Sequence, residues 1–153
     1  MRKAYFPRRE GEPAPLTCVV DRRVRFEEVD PLGIVWHGRY PGYFEDARVA
    51  LGERYGIGYM DLFENGIVAP IKKLHVDHTR PLTFGDPFTV EGTLHWSEAA
   101  RINFSFVIRN EAEELVARGY TVQMMLDAQR NILMVQPPYF REFCDRWRRG
   151  ELT

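Results

Sequence analysis

The chain has 153 residues, of which 44% are hydrophobic and 13% aromatic, and its formal net charge is −1 at pH 7. This composition excludes a disordered chain, and the length fits one domain with a sizeable core. The near-neutral charge gives no indication of a nucleic-acid partner, and no apolar run reaches the ~18 residues of a membrane span. Cys18 and Cys144 lie far apart in the sequence, which fits reduced thiols in a cytoplasmic protein.

The first 15 residues are rich in charge and proline, and we expect a flexible N-terminal arm followed by a single domain over 16–153. The arm contains basic residues but not the apolar segment of a secretory signal. Residues 16–26 alternate loosely and are rich in β-branched side chains, which predicts a strand. Asp30-Pro31-Leu32-Gly33 then has the residue preferences of a type I turn.

A long helix is predicted over Tyr40–Tyr55, because apolar residues recur there at helical spacing. Pro41 fits the first turn of a helix, where a missing N–H costs no hydrogen bond. Glu45 and Asp46 are acidic residues near the positive end of the helix dipole, and Gly56 is a stop signal.

After a loop or short helix over 58–65, alternating apolar residues predict antiparallel strands that begin at Ile67 and end with a strand over 132–135. The phase of this alternation changes at Lys72-Lys73, which indicates a β-bulge. A short amphipathic helix with basic residues near its end is predicted to close the chain. One long helix and one sheet must bury each other, so we expect an α+β fold with about five strands.

The run from Val24 to Arg48, VRFEEVDPLGIVWHGRYPGYFEDAR, resembles the signature of hot-dog-fold acyl-CoA thioesterases. It is similar in particular to the 4-hydroxybenzoyl-CoA thioesterases and to the Tol–Pal-associated bacterial acyl-CoA thioesterases. A weaker resemblance lies in TRPLTFGDPFTVEG, and Phe26 departs from the pattern because many relatives carry tyrosine there. The matching positions are Asp30, Gly33, Val35, His37, Tyr40, Phe44, Glu45 and Arg48.

The resemblance implies a thioester hydrolase of the hot-dog fold, in which an antiparallel sheet wraps around a long central helix. It also implies a homodimer or homotetramer with active sites at the subunit interface, an acyl-CoA substrate, and neither a cofactor nor a metal. By the matching positions, Asp30 is the catalytic carboxylate and the backbone N–H of His37 stabilises the oxyanion. Whether Asp30 attacks the carbonyl or orients a water molecule as a base stays open.

Substrate contacts are expected from residues near the catalytic pair and from basic side chains farther along the chain. Gly33 allows the turn to approach the substrate, and Ile34, Val35 and Trp36 wall the site off from water. The basic residues hypothesised to bind the CoA phosphates are Lys72, Lys73, Arg80 and Arg101, which equally suit a solvated strand edge. The full expected set is Gly33, Val35, Trp36, Gly38, Tyr40, Lys72, Lys73 and Arg80.

Several alternative interpretations stay open. On purely structural grounds Asp30 suits a turn or an N-cap. Glu45 is either a second candidate catalytic carboxylate or a first-turn residue that favours the helix dipole or pairs with Arg48. His75 and His78 have the residue types of a metal site, but a strand places them on opposite faces. The substrate is alternatively a thioester on an acyl carrier protein, or the chain binds acyl groups without catalysis.

Overall fold

The computed structural model describes residues 3–153, and its main elements are three α-helices and one five-stranded antiparallel sheet. The strands are β1 Leu16–Arg23, β2 Ile71–His78, β3 Pro87–His95, β4 Arg101–Asn110 and β5 Leu115–Met124. The helices are α1 Tyr40–Tyr55, α2 Tyr59–Glu64 and α3 Pro138–Arg148. The strand order β1-β3-β4-β5-β2 leaves β1 and β2 at the two edges, and the predicted α+β architecture is confirmed.

The long helix α1 packs against one face of the sheet along an apolar stripe. Phe44, Ala47 and Leu51 are fully buried on this stripe, and the Phe44 ring stacks on Phe106 of β4 with centroids 4.6 Å apart. The helix ends at Gly56, whose φ of 77° places it in the left-handed region that favours glycine. The observed bounds of α1 are those predicted from the sequence.

The edge strand β2 differs from the central strands in its burial. Ile102 and Ile108 of β4 are fully buried, whereas Ile71 and Leu74 of β2 are 45% and 47% exposed. The register of β2 against β5 shifts between Ile71 and Lys73, which confirms the predicted bulge. One edge of the sheet therefore presents unpaired backbone groups and apolar side chains to the outside.

Three predicted strand boundaries are wrong. The first strand ends at Arg23 because Phe26–Glu28 forms a 3-10 turn. The strand expected from residue 67 begins only at Ile71, since Pro70 has no N–H to donate to the sheet. Residues 132–135 contribute a single bridge between Leu126 and Ile132 instead of a strand.

The C-terminal helix α3 and the N-terminal arm contact each other at one end of the sheet. The Trp147 ring lies 5.1 Å from Trp96, and its Nε1–H donates to the carbonyl of Ala14 at 2.8 Å. Cys144 is buried beside Trp147, and burial raises the pKa of its thiol to about 12. Residues 3–15 form no helix or strand, and their flexibility stays a prediction. No helix within residues 3–153 has the length and apolarity that a bilayer crossing requires.

Close packing of α1 on the sheet predicts opposite effects for two glycine substitutions. A Cβ at Gly119 of β5 would overlap the carbonyl oxygen of His75 and lie 2.6 Å from the Phe44 ring, whereas one at Gly42 would meet nothing within 4 Å. Gly119→Ala should lower the free energy of unfolding by about 1–3 kcal/mol. Gly42→Ala should raise it by about 0.5–1 kcal/mol, because alanine favours the helix. Denaturant unfolding checks both, and equal stabilities of the two variants would contradict this packing.

Candidate active site

A tight turn fixes Asp30 at the entrance to the helical segment. The Gly33 N–H donates to the Asp30 carbonyl at 2.9 Å, and Gly33 has a φ of 77°. The Leu32 N–H donates to Asp30 Oδ1 at 2.8 Å, so the carboxylate is oriented by the turn that it helps to form. The predicted turn is confirmed. Its hydrogen bonds fit both interpretations of Asp30, as a turn residue and as a catalytic carboxylate.

Backbone hydrogen bonds connect this turn to the rest of the molecule. The Asp30 N–H donates to Ile34 at 2.8 Å, and the Val35 N–H donates to Leu82 at 2.8 Å. The Trp36 N–H donates to Glu28 at 2.9 Å. The loop that carries Asp30 is therefore held on both sides, as precise placement of a catalytic group requires.

The helical segment begins three residues before α1, because His37–Arg39 forms a 3-10 turn that runs into it. The Arg39 N–H donates to Trp36 at 2.9 Å, but among residues 3–153 no acceptor is found for the backbone N–H of His37 or Gly38. Unpaired N–H groups at a helix start, with the positive end of the helix dipole, favour an anion.

Asp30 and His37 line one groove of about 440 Å³ that lies between the turn and the end of β2. The His78 ring stands edge-on to Tyr40 in this groove, with centroids 4.7 Å apart. Burial raises the pKa of the Tyr40 hydroxyl, which therefore stays protonated at neutral pH. The lining residues are Asp30, Leu32, Ile34, Val35, His37, Tyr40, His78, Thr79, Arg80 and Pro81.

The groove unites five of the residues proposed from the sequence, namely Asp30, Val35, His37, Tyr40 and Arg80. Two of the other walls also agree with the sequence: Ile34 is expected to exclude water, and Pro81 belongs to the weaker motif. The walls at residues 32, 78 and 79 have no predicted role at the groove. Their convergence depends on the end of β2 crossing beside the turn, which is a tertiary contact.

Three proposed residues lie next to the groove without lining it: Gly33, Trp36 and Gly38. A Cβ at Gly38 would overlap the six-membered ring of Trp36, so the glycine gives the indole room to fold back over the helix start. The Trp36 ring also lies 5.1 Å from the His37 ring, and the side chain is 48% exposed. Trp36 is thus placed to shield the unpaired N–H groups from one side.

The proposed basic residues separate into two groups. Arg80 lines the groove and forms an ion pair with Glu114 at 3.2 Å. Lys72 and Lys73 lie near the opposite end of β2 from His78, which at a rise of about 3.3 Å per residue is roughly 20 Å away. Within a single chain, the two lysines do not reach the groove that contains Asp30.

The second candidate carboxylate, Glu45, lies outside the groove. Its oxygens accept from the Tyr59 hydroxyl at 2.9 and 3.1 Å. Glu45 and Arg48 form no ion pair among the described residues, although the charge of Glu45 acts to raise the pKa of Arg48. Arg48 is buried and donates to Gln123 at 3.1 Å and to the Ile57 carbonyl at 3.1 Å. Burial lowers the pKa of the Arg48 guanidinium, which here crosslinks the helix to the sheet.

The two histidines of β2 point in different directions, as strand geometry predicts. His75 Nε2 lies 3.0 Å from Asp77 Oδ2 and its ring stacks on Tyr120, whereas His78 contacts Tyr40. Over residues 3–153, no group of three or more histidine, cysteine, aspartate or glutamate side chains is arranged to hold a metal ion.

Comparisons with known proteins match most of the chain. A family model described as "Thioesterase-like superfamily" matches residues 24–147. The chain is 27% identical over 114 residues to a 1,4-dihydroxy-2-naphthoyl-CoA hydrolase of Nostoc punctiforme, covering 74% of this chain and 76% of the relative. It is 30% identical over 122 residues to the chloroplastic acyl-acyl carrier protein thioesterase ATL3 of Arabidopsis thaliana, covering 78% and 64%.

A solved structure agrees with the fold. The DHNA-CoA thioesterase of Staphylococcus aureus superposes with a TM-score of 0.75 at 23% identity, covering 85% of this chain and 89% of that chain. The hot-dog fold predicted from the sequence is confirmed by this similarity.

Proposed function

The chain belongs to the Thioesterase-like superfamily, and on that premise we propose that it is an acyl-CoA thioesterase that uses Asp30 as its catalytic carboxylate. The observation that carries the proposal is the position of Asp30 and the unpaired N–H of His37 along one groove at the helix start. Relatives named as CoA-thioester hydrolases support the substrate class.

Thioester hydrolysis needs a group that adds to the carbonyl carbon and a site for the negative charge that develops on the carbonyl oxygen. The N–H groups of His37 and Gly38 supply the second requirement, and one such donor is typically worth ~3 kcal/mol in the transition state. The charge on the oxygen also meets the positive end of the helix dipole.

Asp30 supplies the first requirement by one of two routes. As a nucleophile, its carboxylate adds to the carbonyl, the C–S bond breaks, the CoA thiolate leaves and takes up a proton, and water then hydrolyses the anhydride. As a base, Asp30 removes a proton from a water molecule that attacks the same carbon. Both routes give a free acid and CoA, and both need the carboxylate to be ionised and within reach of the carbonyl.

Activity against a panel of acyl-CoA thioesters, followed by detection of the released thiol, tests the proposal. We expect turnover of at least one acyl-CoA without an added cofactor. A carrier-protein thioester is the second candidate substrate, favoured by the similarity to an acyl-acyl carrier protein thioesterase. Turnover only of acyl carrier protein thioesters would select that alternative, and turnover of neither class would contradict the proposed function.

Substitution of Asp30 by asparagine should abolish hydrolysis while preserving the fold. The amide of the new side chain keeps an oxygen for the Leu32 N–H, so the turn remains, but it has no charge. We expect the rate to fall at least about a hundredfold, the scale of general-base catalysis, with an unchanged melting temperature. Asp30→Glu is the matched control that keeps the charge and shifts its position. Wild-type activity in Asp30→Asn would rule out the catalytic assignment.

The backbone role proposed for His37 predicts unequal effects of two substitutions. His37→Ala retains the N–H and should cost much less activity than Asp30→Asn. His37→Pro removes the donor, and proline is tolerated in the first helical turn, so the rate should fall by about a hundredfold to a thousandfold with the fold retained. Steady-state kinetics together with circular dichroism check both. A loss in His37→Ala as deep as that in Asp30→Asn would show that the imidazole itself takes part.

We also propose that two chains pair through the exposed edge of β2. Its unpaired backbone groups and half-exposed Ile71 and Leu74 form a surface that pairing would bury. An antiparallel pairing centred near His75 would place Lys72 and Lys73 of one chain beside the groove of its partner. In a dimer of this kind, the two lysines would lie close enough to the partner's groove to contact the substrate, as hypothesised from the sequence.

Shared sites make activity depend on protein concentration. Dilution should lower specific activity in parallel with the fraction of oligomer. Sedimentation and activity measurements over one concentration range check this expectation. Lys73→Pro removes a backbone N–H and distorts the edge strand. In this variant, both oligomer formation and full specific activity should need a higher protein concentration than in the wild type. Full specific activity from a monomer would contradict a site shared between chains.

A further inference from the structure

The N-terminal arm is docked on the sheet by an aromatic and polar cluster. The Tyr5 hydroxyl donates to Asp77 Oδ2 at 2.7 Å, and the Tyr5 ring lies 4.8 Å from that of Tyr120. The Arg118 guanidinium lies 4.1 Å from the centre of the Tyr5 ring and donates to the Lys3 carbonyl at 3.1 Å. These contacts hold the arm across the outer face of β5 and β2, on the side away from α1.

The next arm residue continues the contact. Phe6 lies 5.1 Å from His95 and 5.6 Å from Tyr120, measured between ring centroids. Two consecutive aromatic side chains are therefore inserted among rings of three strands. The family model matches residues 24–147 and does not extend over the arm.

The docked arm forms one wall of a second, open pocket at the end of β2, which we call the compartment. This compartment has a volume of about 420 Å³ and is lined by Lys3, Tyr5, Asp77, His78, Thr79 and Arg118. His78 and Thr79 also line the groove that contains Asp30. Both spaces therefore border the end of β2, the groove on the α1 side and the compartment on the outer face, so a long ligand that occupied both would pass around this end.

The charges of the compartment suit an anion. Lys3 and Arg118 contribute two cations against the single carboxylate of Asp77, which accepts from the Tyr5 hydroxyl and faces His75 Nε2 at 3.0 Å. Lys3 forms no ion pair with any of the described residues, so its ammonium is available to a ligand.

We propose that this compartment binds the phosphate-bearing part of a phosphopantetheinyl thioester, with Lys3 as a contacting cation and Tyr5 as the residue that positions the arm. The inference rests on the proposed function, because it takes the acyl end of the same molecule to lie in the groove. Phosphate is the shared chemistry of CoA and of the prosthetic group of a carrier protein, and Lys3 meets it as a point charge.

The test compares one acyl group carried on three thiols: CoA, phosphopantetheine and N-acetylcysteamine, which has no phosphate. Lys3→Ala should raise KM for acyl-CoA about threefold to fivefold, as expected for an exposed charge pair, with kcat within about twofold of wild type. Added salt should reduce this difference. The N-acetylcysteamine thioester should be hydrolysed equally by both proteins. If Lys3→Ala also raises KM for the phosphopantetheine thioester, Lys3 contacts the phosphate that this thioester shares with CoA. If KM for that thioester does not change, Lys3 contacts the nucleotide phosphates of CoA.

Arg9→Ala is the matched control, because Arg9 is an exposed arm cation outside this compartment. It should leave KM for every thioester unchanged. Tyr5→Phe removes the hydroxyl that donates to Asp77 but keeps the ring. It should raise KM for acyl-CoA less than Lys3→Ala does and leave hydrolysis of the N-acetylcysteamine thioester unchanged. Equal changes on acyl-CoA and N-acetylcysteamine thioesters, or no change on acyl-CoA, would overturn the proposal.

Calorimetric titration with CoA itself separates this inference from the proposed function. If the wild type hydrolyses no thioester, the proposed function fails. The compartment still predicts that CoA binds the wild type and that Lys3→Ala raises its Kd about threefold to fivefold. No detectable CoA binding by the wild type, or an unchanged Kd in Lys3→Ala, would overturn it.

Discussion

The close approach of α1 to the sheet is the constraint on which the remaining structure depends. The helix lies so near the strands that a Cβ at Gly92 would come within 3.0 Å of the Ala47 Cβ, and one at Gly119 would meet the Phe44 ring. Strands with larger side chains at these two positions would hold the helix farther out. Because the helix start is continuous with the loop that carries Asp30, its placement on the sheet also sets the position of the groove.

Hydrogen bonds and a ring contact between α1 and its surroundings explain why a buried arginine is tolerated in the core. Arg48 donates to a side chain of β5 and to the carbonyl of Ile57, just beyond α1, and its guanidinium lies 4.9 Å from the centre of the Phe104 ring. A buried charge needs such partners, because an unpaired one would be strongly destabilising. Arg48 belongs to the motif that resembles thioesterases, and its position in the structure gives it a role in holding the helix instead of contacting the groove.

Local features of the fold could be predicted from the sequence because neighbouring residues determine them. The bounds of α1 follow from apolar spacing and Gly56, the bulge at Lys72 follows from a phase change, and the turn at Asp30 follows from its own residues. Strand ends are less predictable, since they depend on where the partner strand stops.

The site is only partly predictable from the sequence, because it too depends on tertiary contacts. Asp30 and His37 are near each other in the sequence, so one motif contains both. His78 reaches the groove through strand pairing. Lys3 reaches the compartment because the arm docks on β2, where Tyr5 donates to Asp77, more than seventy residues later in the sequence.

The proposed mechanism requires the reacting carbonyl to lie between Asp30 and the helix start. A crystal structure with a non-hydrolysable acyl-CoA analogue, in which a methylene group replaces the thioester sulfur, tests this directly. We expect the analogue's carbonyl oxygen within about 3 Å of the His37 backbone nitrogen, with a carboxylate oxygen of Asp30 facing the carbonyl carbon. An analogue bound in the groove with its carbonyl remote from both residues, or bound elsewhere on the protein, would contradict it.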